Sequence, residues 1–362
     1  MNRLLIFLSL AVSALSAQES FDSMAAKATA ARNANDLPRA ISLYQQAVAA
    51  KPDWAEGWWF LGSLAYDSDQ YPLGRDALTH FVKFENKPAG WSLLGLCEFE
   101  TADYSLSLEH IQRALQASDS VPTEMQPALR FHEALLLTHA SLFDQALNKY
   151  IWFAQRGASN PTLISAIGLA ALRTPLLPKD IQPDKQDLYT AAGTATFRWM
   201  AADFQGAGMA FQSLLEQFSS IPNVHYLYGS FLLSSQPYQA MSEFAQELRL
   251  NPNSPDALAM IALGFIQHDD LKGALPYARK SLASPTPPPL GHYVYGLIKT
   301  RQGDSKEGAD HLEQAAKLDP ANLEYHIALA GAYSKLGRAE DSLRERQRSI
   351  AMAREDEANA PH

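Results

Sequence analysis

An all-α solenoid of stacked antiparallel helix pairs is the fold that this 362-residue sequence predicts, and three observations lead to it. A small residue recurs at Ala40, Gly74, Ser107, Ala146, Ala207, Ala240, Ala274, Gly308 and Ser342, mostly at steps of 33 or 34 residues. An aromatic residue or leucine lies about three positions before it (Leu37, Tyr71, Tyr104, Phe143, Phe204, Leu271). In most units an apolar residue lies four after it (Tyr44, Leu78, Ile111, Tyr150, Phe211, Phe244, Leu312). Spacings of three and four mark one face of an α-helix, here the second helix of each unit. Proline closes units at Pro52, Pro88, Pro222, Pro252 and Pro320, where its missing N–H and its ring forbid helix continuation. Each unit is therefore two helices and a stop, and about eight or nine units are expected, one of them degenerate.

The first helix of a unit carries its own mark, a bulky residue followed four positions later by a tiny one. Trp58 with Gly62, Trp91 with Gly95, His225 with Gly229, His292 with Gly296 and His326 with Ala330 all follow it. The tiny residue lets the neighbouring helix approach, while the bulky one fills the gap beside it. On these residues the sequence resembles the tetratricopeptide repeat family. That family's W-x2-L-G-x2-Y, then A-x3-F, then P pattern is met by Trp58, Leu61 and Gly62 and by Trp91, Leu94 and Gly95. The unit from Pro289 to Pro320 keeps Tyr295, Gly296, Gly303, Gly308, Leu312 and Pro320 in register. The resemblance covers roughly residues 21–349 and implies a right-handed solenoid with the first helices lining its concave side.

Two steps of the ladder are too long. From Ser107 to Ala146 is 39 residues, and the surplus falls in Ser118 to Met125, read as a loop. From Ala146 to Ala207 is 61 residues, and the excess holds a helical stretch, Thr162 to Arg173, followed by a loop with Pro175, Pro178 and Pro183. This reads as a repeat that kept one helix and lost the other. The expected organisation is a targeting segment at 1–17, one repeat block at 18–173, a Pro-rich insertion at 174–186, a second block at 187–354 and a charged tail at 355–362. The insertion either separates two blocks or lies within one continuous superhelix.

Apolar residues make up 47% of the chain and charged residues 19%, which excludes global disorder. Thirty Lys and Arg against 39 Asp and Glu give a formal charge of −9, the wrong sign for a broad basic face, so nucleic acid is not an expected partner. One cysteine, Cys97, can close no internal disulfide and supply no cysteine-rich zinc site. Residues 1–17 read as a secretory signal peptide: Arg3, an apolar run from Leu4 to Leu15, and small residues at Ser13, Ala14, Ser16 and Ala17. Cleavage is expected after Ala17, with Ser16 as second choice and an uncleaved anchor as the alternative. The run is too short for a stable span, and Glu19 and Asp22 follow where a basic stop would stand. The mature chain is therefore expected to be exported, periplasmic or extracellular in a bacterial envelope, without a membrane span.

Motifs that carry chemistry are sparse. Gly206 and Gly208 open a second helix in place of a turn after a strand, so they are not a phosphate loop. His132-Glu133 has Leu136 where a zinc-hydrolase helix needs its second histidine, and His139 falls two turns from His132. His225, His292 and His326 occupy the place that Trp58 and Trp91 fill elsewhere, which argues for packing, because stacked repeats spread equivalent positions along the axis. Cys97 reads as a buried thiol. Lys179, Asp180 and Asp184 in the insertion are the one place considered for an active site, but no catalytic residue, metal ligand or cofactor is assigned.

What remains is a surface. In the family, ligands lie along the concave side, and the stripe beside the packing face of the first helices is rich in aromatic and small polar residues. Trp59, Ser63, Tyr66, Phe99, Phe131, Tyr226, Ser230, Tyr293, Leu297 and Arg301 are the candidate partner-binding residues. Aromatic anchors of this kind bury large area at little entropy cost and suit a peptide; packing against the next repeat explains the same spacing equally well. The expected function is a non-catalytic scaffold that binds a protein or peptide. The alternative is an envelope assembly component that also recognises glycan or lipid-linked polymer. A homo-oligomer is compatible with either. The clamp some family members use for a C-terminal carboxylate is not matched, since Ala25 and Thr29 stand where its groups belong.

Overall fold

The recurring small residues become helix positions in the computed structural model, which describes residues 20–117 and 121–359. Four helix pairs come first: α1 (Phe21–Asn33) with α2 (Leu37–Ala50), α3 (Ala55–Asp67) with α4 (Tyr71–Phe84), α5 (Pro88–Glu100) with α6 (Tyr104–Gln116), and α7 (Gln126–His139) with α8 (Phe143–Ala154). A single helix, α9 (Pro161–Ala171), stands next. Five pairs follow it: α10 (Gln186–Met200) with α11 (Phe204–Phe218), α12 (Val224–Leu232) with α13 (Pro237–Leu250), α14 (Pro255–Gln267) with α15 (Leu271–Leu282), α16 (Pro289–Arg301) with α17 (Ser305–Leu318), and α18 (Leu323–Lys335) with α19 (Ala339–Asn359). Among the described residues there are nineteen α-helices and no strand, so the all-α helix-pair class is as the periodicity predicts. Each of the nine ladder residues is the fourth residue of its second helix, and each is buried. The signal segment and residues 118–120 of the expected loop lie outside the described residues.

The ladder residue is small because a neighbouring helix lies against it. Ser107 Oγ donates to the Gly95 carbonyl at 2.7 Å and Ser342 Oγ to the Ala330 carbonyl at 2.8 Å, each across a pair. The reciprocal contact is apolar: a Cβ on Gly95 would crowd Ile111, one on Gly229 would crowd Phe244, and one on Gly296 would crowd Leu312. Tyr44, Leu78, Ile111, Tyr150, Phe211, Phe244 and Leu312 are all fully buried. Each such side chain contributes about 1.5–3 kcal/mol through burial.

The turn inside a pair has its own signature. Asn35, Asp69, Ala102, Ser141, Ala202, Asp269, Gly303 and Gly337 all have positive φ and turn the chain from first to second helix. The aspartate that follows caps the second helix in several pairs: Asp36, Asp203, Asp270 and Asp304 accept from the amides of Arg39, Gly206, Gly273 and Glu307. Arg173 carries the same left-handed conformation (φ 55°) just after α9. The turn of the lost repeat is thus retained, and Pro175 then diverts the chain from a second helix into two short 3-10 turns, Pro178–Asp180 and Pro183–Lys185.

The chain divides into two compact units, one ending at His132 and the other beginning at Glu133, inside α7. The Pro-rich segment 174–186 therefore lies within the second unit and not at the division. The reason is the contact between the helices on either side of it. At Gly168 of α9 a Cβ would overlap the Tyr189 carbonyl of α10, and at Gly193 of α10 one would overlap the Ile164 carbonyl of α9. Backbone meets backbone there, so α10 serves α9 as the missing second helix and α11 as first helix. At the other end α19 continues to Asn359, into the segment expected as a tail.

Candidate functional site

In the first unit the aromatic stripe begins at α3. Trp59 is half-buried, its ring 5.2 Å from that of Phe81. Together with Ala55, Phe60, Phe81 and Ala89 it walls a cavity of about 240 Å3, with Glu56, Glu85 and Lys87 among its lining residues. Lys87 pairs with Glu85 at 3.2 Å. Ser63, one turn along, donates to the Phe60 carbonyl at 3.2 Å, and Tyr66 sits edge-on to Tyr71 at 5.8 Å. Phe99 is only 8% exposed, with Tyr104 and His132 against its ring. Phe131 is half-buried, 6.0 Å from the His132 ring. Cys97 is wholly buried, and burial pushes its thiol up to about 12, so it has no thiolate at neutral pH.

In the second unit the same stripe divides. Tyr226 is 6% exposed, and Arg173 Nη2 donates to its hydroxyl at 2.8 Å. Ser230 donates to the Tyr226 carbonyl. Tyr293 is half-buried and lies 5.0 Å from Tyr325 of the following repeat. Leu297 packs against the α14 to α16 core, and Arg301 is exposed, its guanidinium on the Ile266 carbonyl and 3.7 Å from Asp269. Tyr226 and Phe99 thus lie buried against neighbouring side chains. Trp59 and Tyr293 keep partly open faces.

The recurring histidines are interhelical pairs. His225 meets Glu243 and His326 meets Glu345, each at 2.6 Å, while His292 Nδ1 faces His311 Nδ1 at 3.0 Å. Trp91 packs on His110 in the equivalent place. Burial, aided by His311, pushes the His292 imidazole down from 6.5 to about 4; Glu307 and Asp310 oppose and Lys299 assists the same shift at His311. A base with a lowered folded pKa contributes stability that is present above 6.5 and lost as pH falls toward 4. Thermal scans from pH 7 to pH 4.5 are expected to show a smaller decline for His292→Phe than for the native chain.

Other sequence candidates are scattered. Glu133 is buried against Lys149 at 2.9 Å, whereas His139 on the same helix is exposed. Lys179, Asp180 and Asp184 are exposed on the 3-10 turns. Among the described residues no three His, Cys, Asp or Glu side chains group as a metal-ligand set, and no helix is long and apolar enough to cross a membrane.

Sequence reasoning missed a partly buried charged cluster. The Arg173 guanidinium, from the turn after α9, meets Asp144 at 2.8 Å and Asp256 at 3.5 Å besides Tyr226. Burial raises the Asp256 carboxyl, Arg173 lowers it and Asp144 raises it again. Asn223 ties the same corner to the Leu172 carbonyl and, through its amide, to Glu247. These residues come from four units of the chain, the degenerate α9 unit among them, and the one local signal was an arginine at the mouth of the Pro-rich segment.

Comparison with known proteins gives one family match and several similar solved structures. Residues 25–80 match the tetratricopeptide repeat family model. No curated protein sequence matches. The APC/C hetero-tetramer Cut9-Hcn1 is a similar solved structure, 11% identical over 92% of this chain and 87% of that one, with a TM-score of 0.43. MamA from Desulfovibrio magneticus RS-1 is 18% identical over 46% of this chain and 96% of its own, with a TM-score of 0.36. YrrB, described as a TPR protein with an unusual peptide-binding site, is 19% identical over 48% and 90%, with a TM-score of 0.33. Residues 25–80 carry the tetratricopeptide repeat match, and the left-handed turn residues and buried small-residue register of the nine helix pairs give the chain an all-α helix-pair repeat fold of that type.

Proposed function

We propose that this chain is an exported, non-catalytic scaffold that binds a peptide or protein partner along the first helices of its repeats. The observation that carries the reading is the Trp59 cavity, which has apolar and aromatic walls with charged residues among its lining. A partly exposed tryptophan over a pocket is the arrangement in which one partner side chain buries large area while polar groups at the edge fix its orientation. Export rests on the signal segment at 1–17, and the mature chain is expected to begin at Gln18, which N-terminal sequencing of the exported protein reads directly.

The binding test compares captured partners from the extracytoplasmic fraction for the native chain and for Trp59→Ala and Tyr293→Ala variants of unchanged thermal midpoint. Truncating an aromatic anchor costs about 2 kcal/mol or more, so partner recovery at limiting bait is expected to fall roughly thirtyfold with Trp59→Ala. Equal recovery from all three chains would move binding away from the first helices.

A further inference from the structure

The last second helix, α19, keeps the residues with which a helix pair receives the pair after it. The fifth and twelfth residues of a second helix lie two turns apart on one face. In α2 they are Ile41 and Val48, which share a buried core with Leu61 of α3. In α17 they are Ala309 and Ala316, which share one with Leu329 of α18. Neither position is exposed in any of the eight second helices before α19. In α19 they are Leu343 and Ile350, 57% and 53% exposed. Ile327 of α18, 48% exposed, widens the same open end; its counterpart in α16, Tyr293, is met by Tyr325 of the following pair. The side chains that stacking buries elsewhere are thus left in solvent here.

The helix α1 is built differently. The seventh residue of a first helix fits onto the pair before it, as Leu61 of α3 and Leu329 of α18 do. In α1 that residue is Lys27, exposed, with Ala26 and Ala30 exposed beside it. Stacking α1 of a second copy on α19 would desolvate the lysine, so unlike ends do not match. Like ends do. Glu340, Gln347 and Arg354, seven residues apart, form an exposed row beside Leu343 and Ile350. Asp341 is taken by Arg338 and Arg344, and Glu345 by His326, which leaves Glu340 and Arg354 with no ion pair among the described residues. Consider two antiparallel copies of α19 related by a two-fold axis between Arg346 and Gln347. Leu343 of each then lies opposite Ile350 of the other, and along one edge Glu340 of each lies beside Arg354 of the other. On the opposite edge Arg346 faces its own counterpart.

We propose that a second copy of this chain covers the open end, α19 against α19, in a two-fold homodimer. The apolar residues supply the buried area, and the reciprocal Glu340 and Arg354 pairs select the antiparallel arrangement. The proposal goes beyond the Trp59 reading: it uses other residues in the other unit, and either can fail alone.

The test is sedimentation equilibrium of the chain from Gln18 onward, at low salt and at concentrations up to about 100 μM. A monomer–dimer equilibrium is expected, with no larger species. Leu343→Asp removes an apolar group from both sides of the axis and is expected to weaken pairing at least about thirtyfold. Its thermal midpoint at high dilution should match that of the native chain, because the side chain is exposed in the single copy. Should it fold poorly, charge reversal at the edge tests the same interface. Glu340→Arg and Arg354→Glu are each expected to weaken pairing about tenfold, and the double variant to restore it to within about threefold of the native value. Arg346→Gln relieves a repulsion and is expected to tighten it. A native chain that stays monomeric, or a dimer indifferent to Leu343→Asp, would overturn the interface. Assemblies that keep growing with concentration would overturn the two-fold in favour of end-to-end stacking. A double variant no better than either single would overturn the antiparallel arrangement.

Discussion

Gly168→Ala and Gly193→Ala are each expected to destabilise the second unit by about 3 kcal/mol, near the upper end of what overpacking costs. One methyl group is decisive here because its neighbour is not a flexible side chain. The added Cβ overlaps the Tyr189 carbonyl in one case and the Ile164 carbonyl in the other, so two helix backbones must separate. Since both substitutions break the same crossing, the double variant should cost much less than the sum. Gly331→Ala in α18 provides the contrast. That glycine is exposed with no atom within 4 Å of its would-be Cβ, so alanine should stabilise by about 0.5–1 kcal/mol through helix propensity. Urea melts followed by circular dichroism measure all four. Equal, small effects at Gly168, Gly193 and Gly331 would mean that α9 does not pack on α10 as described.

Arg173→Met is expected to cost about 3–5 kcal/mol at neutral pH, because it leaves Asp144 and Asp256 beside each other without their cation. Methionine keeps the stem and the left-handed backbone conformation, so the loss isolates the charge. The pH dependence gives a second signature. Asp256 already has a raised folded pKa from burial, and removing Arg173 removes the main influence that lowers it. An acid raised in the folded state contributes stability that is present below its unfolded value of 3.8 and lost as pH rises through the folded value. The difference between variant and native chain should therefore be largest at pH 7 and narrow toward pH 4. A constant difference across that range would mean that lost packing, not lost charge, governs the effect.

The helix pairs were legible because their signal is local and repeated. Nine small residues at the fourth position of nine second helices, with an apolar residue four later in most of them, follow from the helical period and need no knowledge of distant contacts. The degenerate unit was legible for the same reason, with Ile164 and Gly168 spaced like a first helix. What took its missing partner's place was not, because α10 reaches α9 only after a loop whose path depends on its two 3-10 turns. The stripe shows the same limit. Trp59, Tyr226 and Phe99 share a helical face by spacing, but whether that face stays open depends on what arrives from elsewhere: Arg173 covers Tyr226, and His132 covers Phe99. Of the Arg173 cluster only the arginine itself, at the mouth of the Pro-rich segment, was visible in the sequence, since no spacing relates residues 144, 173, 226 and 256.

The most direct test of partner binding by the first helices is site-specific photo-crosslinking. A photoreactive phenylalanine analogue is placed at Ser63, one turn along α3 from Trp59, or at Leu106, which is 48% exposed on α6. Crosslinks to a partner from position 63 that disappear when Trp59→Ala is added, with none from position 106, are the predicted result. Crosslinks from position 106 that persist in Trp59→Ala, with none from position 63, would contradict it.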